Sequence, residues 1–133
     1  MKMPFRKKTV LLALVIAAVT AGCSQDVSFN DDVLPKLKYN CSGCHDGKGD
    51  GQLASGFVLL TYDDLIKDTK YGPAVVPGDS SASPLYLMID HRVDPMIQMP
   101  PHHESRTDSS LGPLSRHTID TIATWIEQGA KNN

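Results

Sequence analysis

The sequence predicts an all-α domain, on three observations. Apolar residues recur at helical spacing in two stretches: Phe29, Val33, Leu34 and Leu37 near the start, and Ile119, Ile122, Ala123 and Ile126 near the end. No stretch of useful length alternates apolar and polar residues as a half-buried strand would. Proline and glycine gather between the helical stretches, where the chain must turn. A chain of 133 residues with formal charge −2 and no internal repeat is sized for one small domain.

The first 22 residues are set apart from that domain. Lys2, Arg6, Lys7 and Lys8 precede an unbroken apolar run from Val10 to Val19, and the small residues Thr20-Ala21-Gly22 precede Cys23. This is a secretory signal layout, and a run of ten apolar residues is too short to span a bilayer. Thr20-Ala21-Gly22-Cys23 resembles a bacterial lipobox, with Thr20 standing where leucine is commonest. The resemblance implies a lipoprotein signal at 1–22, a lipidated Cys23 opening a polar tether over 23–28, and a domain over 29–133. The rival reading is an ordinary signal with Cys23 left as an odd thiol. In a lipoprotein, Ser24 after the cysteine implies an outer-membrane address, and acyl chains anchor without a spanning helix.

Within 29–133 the elements follow in order. Ser28 with Asp31 three residues on reads as a capping box opening a helix over about 29–40, irregular near Pro35. Asp46-Gly47-Lys48-Gly49-Asp50-Gly51 reads as a loop. It is only faintly like a calcium loop, because Lys48 occupies a ligand position and Phe57 stands where the closing acid belongs. Phe57 to Leu60 is a short apolar run. Thr61 with Asp64 opens a helix over about 62–68, with Leu65 and Ile66 inward. Ser83 caps a helix over about 84–91, with proline at its first position and Leu85, Met88 and Ile89 on one face. Val93 to Pro113 reads as loop. Ser115 caps the last helix, Leu114 staples to Ile119, and Gly129 stops it.

The chemistry concentrates in Cys41-Ser42-Gly43-Cys44-His45. Two thiols three positions apart with a histidine directly after them are the spacing of a c-type haem attachment site. Each thiol can form one thioether to a haem vinyl group, and the adjacent imidazole can turn onto the iron as proximal ligand. A redox dithiol or half of a zinc site is the rival reading, but no second C-x-x-C completes a zinc site. The three cysteines are then accounted for: Cys41 and Cys44 for haem, Cys23 for lipid, none for a disulfide.

Helix, C-x-x-C-H, glycine-rich loop, middle helices, Met-Pro loop and amphipathic last helix stand in the order of class I c-type cytochromes. Closer still, the chain resembles the cytochrome c domain of planctomycete-type surface proteins. The pieces that match are Cys41 to His45, Val76-Pro-Gly-Asp79 with Ser83-Pro-Leu-Tyr86, Gln98-Met99-Pro100-Pro101, and Trp125-Ile-Glu-Gln-Gly-Ala130. The resemblance implies a class I cytochrome c fold around one covalent haem c and places the distal iron ligand at Met99. Consecutive prolines would stiffen that loop and lower the entropic cost of holding the sulfur. Met96 is the rival three residues earlier, and Met88 fits core packing. Among the histidines, His91 falls at a helix C-terminus, His102 and His103 follow the prolines, and His117 lies in the first turn of the last helix. His102 or His103 as sixth ligand, or an open site, stays the alternative.

The expected function is one-electron transfer in an exported, membrane-anchored redox chain of the periplasm or cell envelope. A haem enzyme or ligand sensor with an open or displaceable sixth site, peroxidase-like, is the alternative; so is an electron-entry subunit of a larger oxidoreductase. Without Lys2, Arg6, Lys7 and Lys8, nine of the thirteen basic residues remain against fifteen acidic ones. That balance argues against a nucleic-acid partner and suits redox partners with basic docking patches.

Overall fold

The computed structural model describes residues 25–101 and 113–133. Among these residues there are helices and turns and no strand, apart from one isolated bridge between Thr69 and Gly72. None of the helices is long and apolar enough to cross a membrane. The all-α expectation holds.

The first element is not one continuous α-helix. Phe29–Val33 forms a wide π-type turn in which the Val33 N–H reaches back to the Ser28 carbonyl at 3.2 Å. Ser28 caps it as expected, its hydroxyl accepting from the Asp31 N–H, but the carboxylate that answers is Asp32, which accepts from the Ser28 N–H at 2.9 Å. α1 then runs over Leu34–His45. The wide turn places Pro35 in the first turn of α1, where its missing N–H leaves no helical bond unmade. The helix therefore continues through the Cys41–His45 motif instead of ending near residue 40.

α2, Asp50–Ser55, occupies part of the stretch that reads as loop, and it ends at Gly56 with φ at 75°. α3 is Tyr62–Ile66, shorter than expected, with the Thr61 hydroxyl accepting from the Asp64 N–H. α4 is Pro84–Ile89. It closes with paired bonds, Arg92 N–H to Leu87 carbonyl at 2.8 Å and His91 N–H to Met88 carbonyl at 3.3 Å, around a left-handed His91 with φ at 57°. α5 is Arg116–Glu127, capped by Ser115, with buried Ile119, Ile122, Trp125 and Ile126. The same paired closure recurs there, with Gly129 at φ 98°.

Ser83 departs from its expected role. It makes no capping bond to α4. It is fully buried, and its hydroxyl accepts from the Val76 N–H and donates to the Asp79 carbonyl, both at 2.8 Å. It ties the 76–79 turn to the start of α4. Ser83→Ala is expected to cost about 1–3 kcal/mol, because the Val76 N–H loses its partner; a urea unfolding midpoint of the apoprotein measures it.

The core joins the two ends of the chain. The Phe29 ring meets Tyr62 edge-on at 5.2 Å and Trp125 at 5.4 Å, and Val33 and Leu37 are buried with them. Trp125 is wholly buried in the core and donates its indole N–H to the Lys131 carbonyl at 2.8 Å. Residues 25–28, which read as tether, are held by the C-terminus. Gln128 accepts from the Val27 N–H and donates to the Gln25 carbonyl, Asn133 accepts from Ser28, Phe29 and Asn30, and Lys131 pairs with Asp26. Cys23 and the signal lie outside the described residues.

Candidate functional site

The motif closes α1, with Cys41 and Cys44 one turn apart and His45 at the end of the helix. Neither cysteine is in a disulfide. Cys41 packs against the apolar core. Burial pushes its thiol up to about 12, and the neighbouring Cys44 adds to the effect. A thiol of that kind stays protonated at neutral pH.

His45 is buried and oriented. Its Nδ1 lies 3.0 Å from the Phe57 carbonyl oxygen. A carbonyl only accepts, so Nδ1 carries the proton and the lone pair of the neutral ring sits on Nε2. The Leu59 N–H returns to the His45 carbonyl at 3.0 Å, and the Phe57 ring meets the imidazole edge-on at 5.4 Å. The apolar run 57–60 thus serves as the brace behind the histidine.

The glycines after the motif allow close approach. A Cβ on Gly49 would fall 2.5 Å from the Cys44 carbonyl oxygen, and one on Gly51 would fall 2.6 Å from both Cε1 and Nε2 of His45. Both are closer than any real Cβ contact, so α2 can lie against the motif only with glycine there. Sequence reasoning read these residues as turn-formers and missed this role. Asp46 is a turn-former: its carboxylate accepts from the Lys48 and Gly49 N–H groups, which hold its carboxyl below the usual range. No cluster of three or more His, Cys, Asp or Glu suited to a metal ion occurs among the described residues.

Met99 sits half-buried against the apolar core. Its N–H donates to the Met88 carbonyl at 3.1 Å, and the Gln98 amide donates to the Val93 carbonyl at 3.1 Å and the His91 carbonyl at 3.4 Å. Met96 lies in a short turn, Pro95–Ile97, capped by Asp94, and is 71% exposed. Met88 is half-buried on α4, His91 half-buried after it, and His117 exposed on α5. His102 and His103 lie outside the described residues.

The donor set fits a c-type haem: two thiols outside any disulfide, an imidazole held by Nδ1, and a half-buried thioether on a braced loop. Two open grooves, of about 330 Å³ beside Phe29 and Tyr62 and about 590 Å³ beside Tyr39 and Leu114, are lined by none of Cys41, Cys44, His45 and Met99. The assignment rests on the donors and their braces, not on either groove.

A helical fold with this motif at the end of its first helix defines a c-type cytochrome domain. Residues 41–103, from the first motif cysteine to beyond Met99, match the family model described as Planctomycete cytochrome C. The match covers 63 of the 133 residues and supports a cytochrome c domain of the planctomycete type there. Neither the curated proteins nor the solved structures searched give a match to it. A domain of this family is a haem-c electron carrier in general terms, which points to electron transfer rather than catalysis.

Proposed function

We propose that this protein is a one-electron carrier with one haem held by thioethers at Cys41 and Cys44, ligated by His45 and Met99, and anchored through an acylated Cys23. The observation that carries the reading is His45, whose Nδ1–H is committed to the Phe57 carbonyl, which leaves Nε2 as the ring nitrogen with a lone pair. Bound haem supplies an iron that accepts and releases one electron. The chain's residues do the rest. Phe57 fixes the imidazole tautomer, α2 covers the ring edge without a side chain, and the 98–101 segment holds a thioether that favours the reduced metal. With His45 and Met99 both holding the group, no position on it would remain for a substrate, which favours a carrier over an enzyme.

The anchor reading rests on the residues before Gln25, and Ser24 favours the outer membrane of the cell envelope. With nine basic and fifteen acidic residues after the signal, basic surfaces on redox partners are the complementary choice.

The test is an optical spectrum and redox titration of protein extracted from membranes. A low-spin, six-coordinate haem with the Met-to-ferric-iron charge-transfer band is expected. A high-spin haem whose reduced form binds carbon monoxide without delay overturns the carrier reading. Mass spectrometry of the N-terminus is expected to find acyl chains on Cys23; a soluble, unmodified mature form overturns the anchor.

A further inference from the structure

The segment that carries Met99 leaves α4 at Arg92 and returns to α5 at Arg116. One carboxylate holds both ends. Asp90, with its side chain only 7% exposed, takes Arg92 Nε on Oδ2 at 2.7 Å and Arg116 Nη1 on Oδ1 at 2.6 Å. Arg116 also grips Asp120 on its own helix, and the Arg92 guanidinium lies over the Tyr86 ring at 5.4 Å. Burial opposes the charge on Asp90, yet hydrogen bonds from Arg116 and Tyr86 and the two guanidinium charges keep its carboxyl below the usual range.

The bonds that seat Met99 start from the turn that this carboxylate locks. The Asp90–Arg92 pair spans His91, a non-glycine residue held at φ 57°, where a side chain is strained. Around that residue the Met88 carbonyl accepts both the His91 and the Met99 N–H, and the His91 carbonyl accepts from Gln98. A turn that opened at His91 would move both carbonyls. On the reading that Met99 is the sixth ligand, we propose that Asp90 is a positioning residue for it: its carboxylate holds the left-handed turn that aims the Met99 backbone. Asp90 would not itself be a ligand. It raises the fraction of molecules in which the methionine is ready to bind.

The test uses the holoprotein and imidazole as an external ligand that competes with Met99. Asp90→Asn is expected to raise the apparent imidazole affinity roughly tenfold, because a less firmly seated methionine yields more readily. The Met-to-iron band should then vanish at a lower denaturant concentration than global unfolding by circular dichroism. Adding His91→Gly, which relieves the left-handed strain without restoring any ion pair, is expected to recover much of the lost affinity difference. If Asp90→Asn lowers the unfolding midpoint while imidazole affinity stays unchanged, Asp90 only ties α4 to α5 and the proposal is overturned. Failure of His91→Gly to rescue also overturns it, since the turn is then not the route. Should Asp90→Asn not fold, Arg92→Gln breaks the same link from its exposed end and is read in the same way. Absence of the band from the unsubstituted protein instead removes the Met99 reading, and this inference with it.

Discussion

Met99→Ala is expected to abolish the Met-to-ferric-iron charge-transfer band and to lower the reduction potential by on the order of 100 mV, a modest part of the range that axial ligands span. On the reading that Met99 is the sixth ligand, the iron would lose a thioether that favours its reduced form, with water or a neighbouring base in its place. Met96→Ala is the matched control. Met96 is 71% exposed in a turn that its own loop caps, whereas Met99 packs on the core with its N–H fixed to α4. Met96→Ala should leave both band and potential unchanged. The reverse result would move the sixth ligand to Met96, and a parent spectrum that lacks the band and that neither variant changes would move it to a histidine. Spectra and potentiometric titrations of the two variants decide among these outcomes.

Gly51→Ala is expected to damage the proximal side. Two effects oppose each other. Alanine favours a helix over glycine by about 1 kcal/mol. Against that, the new Cβ would fall 2.6 Å from the His45 ring, a clash that must displace the ring or α2, at a cost of roughly 1–3 kcal/mol. The ring cannot yield freely, because its other edge is bonded to Phe57 and its backbone carbonyl to Leu59. The clash therefore wins. The apoprotein should unfold at lower urea, and the holoprotein should show a high-spin fraction as Nε2 loses its aim. A variant as stable as the parent with an unchanged spectrum would show that α2 moves aside without cost.

The parts legible in the sequence are those whose signal is local. Ser115, Ile119, Ile122, Ile126 and Gly129 state a helix, its cap, its buried face and its stop within fifteen consecutive positions, and α5 follows them. The Cys41–His45 spacing states its chemistry in five residues. The parts that were not legible depend on what the chain meets after it folds. Gly49 and Gly51 look like turn residues until Cys44 and His45 are found against them. Ser83 looks like a cap because proline follows it, but a buried hydroxyl takes the stronger unmet partners, and those belong to the 76–79 turn. Pro35 marks an irregularity without saying which kind, and the wider turn before α1 is one of several ways to absorb it. Asp90 carries no motif at all. Its meaning comes from two arginines 24 residues apart in sequence that converge on it.

The joined chain ends set a limit on how far the domain can travel. Only Ser24 separates Cys23 from Gln25, whose carbonyl is already bonded to Gln128. With Cys23 acylated, the leash is about 7 Å at full extension, much shorter than the domain itself. The C-terminal end of α5 would then stay near the lipid headgroups, and the domain could not reach across the compartment. Its traffic would be lateral, and every donor or acceptor would have to come to the membrane face to meet it.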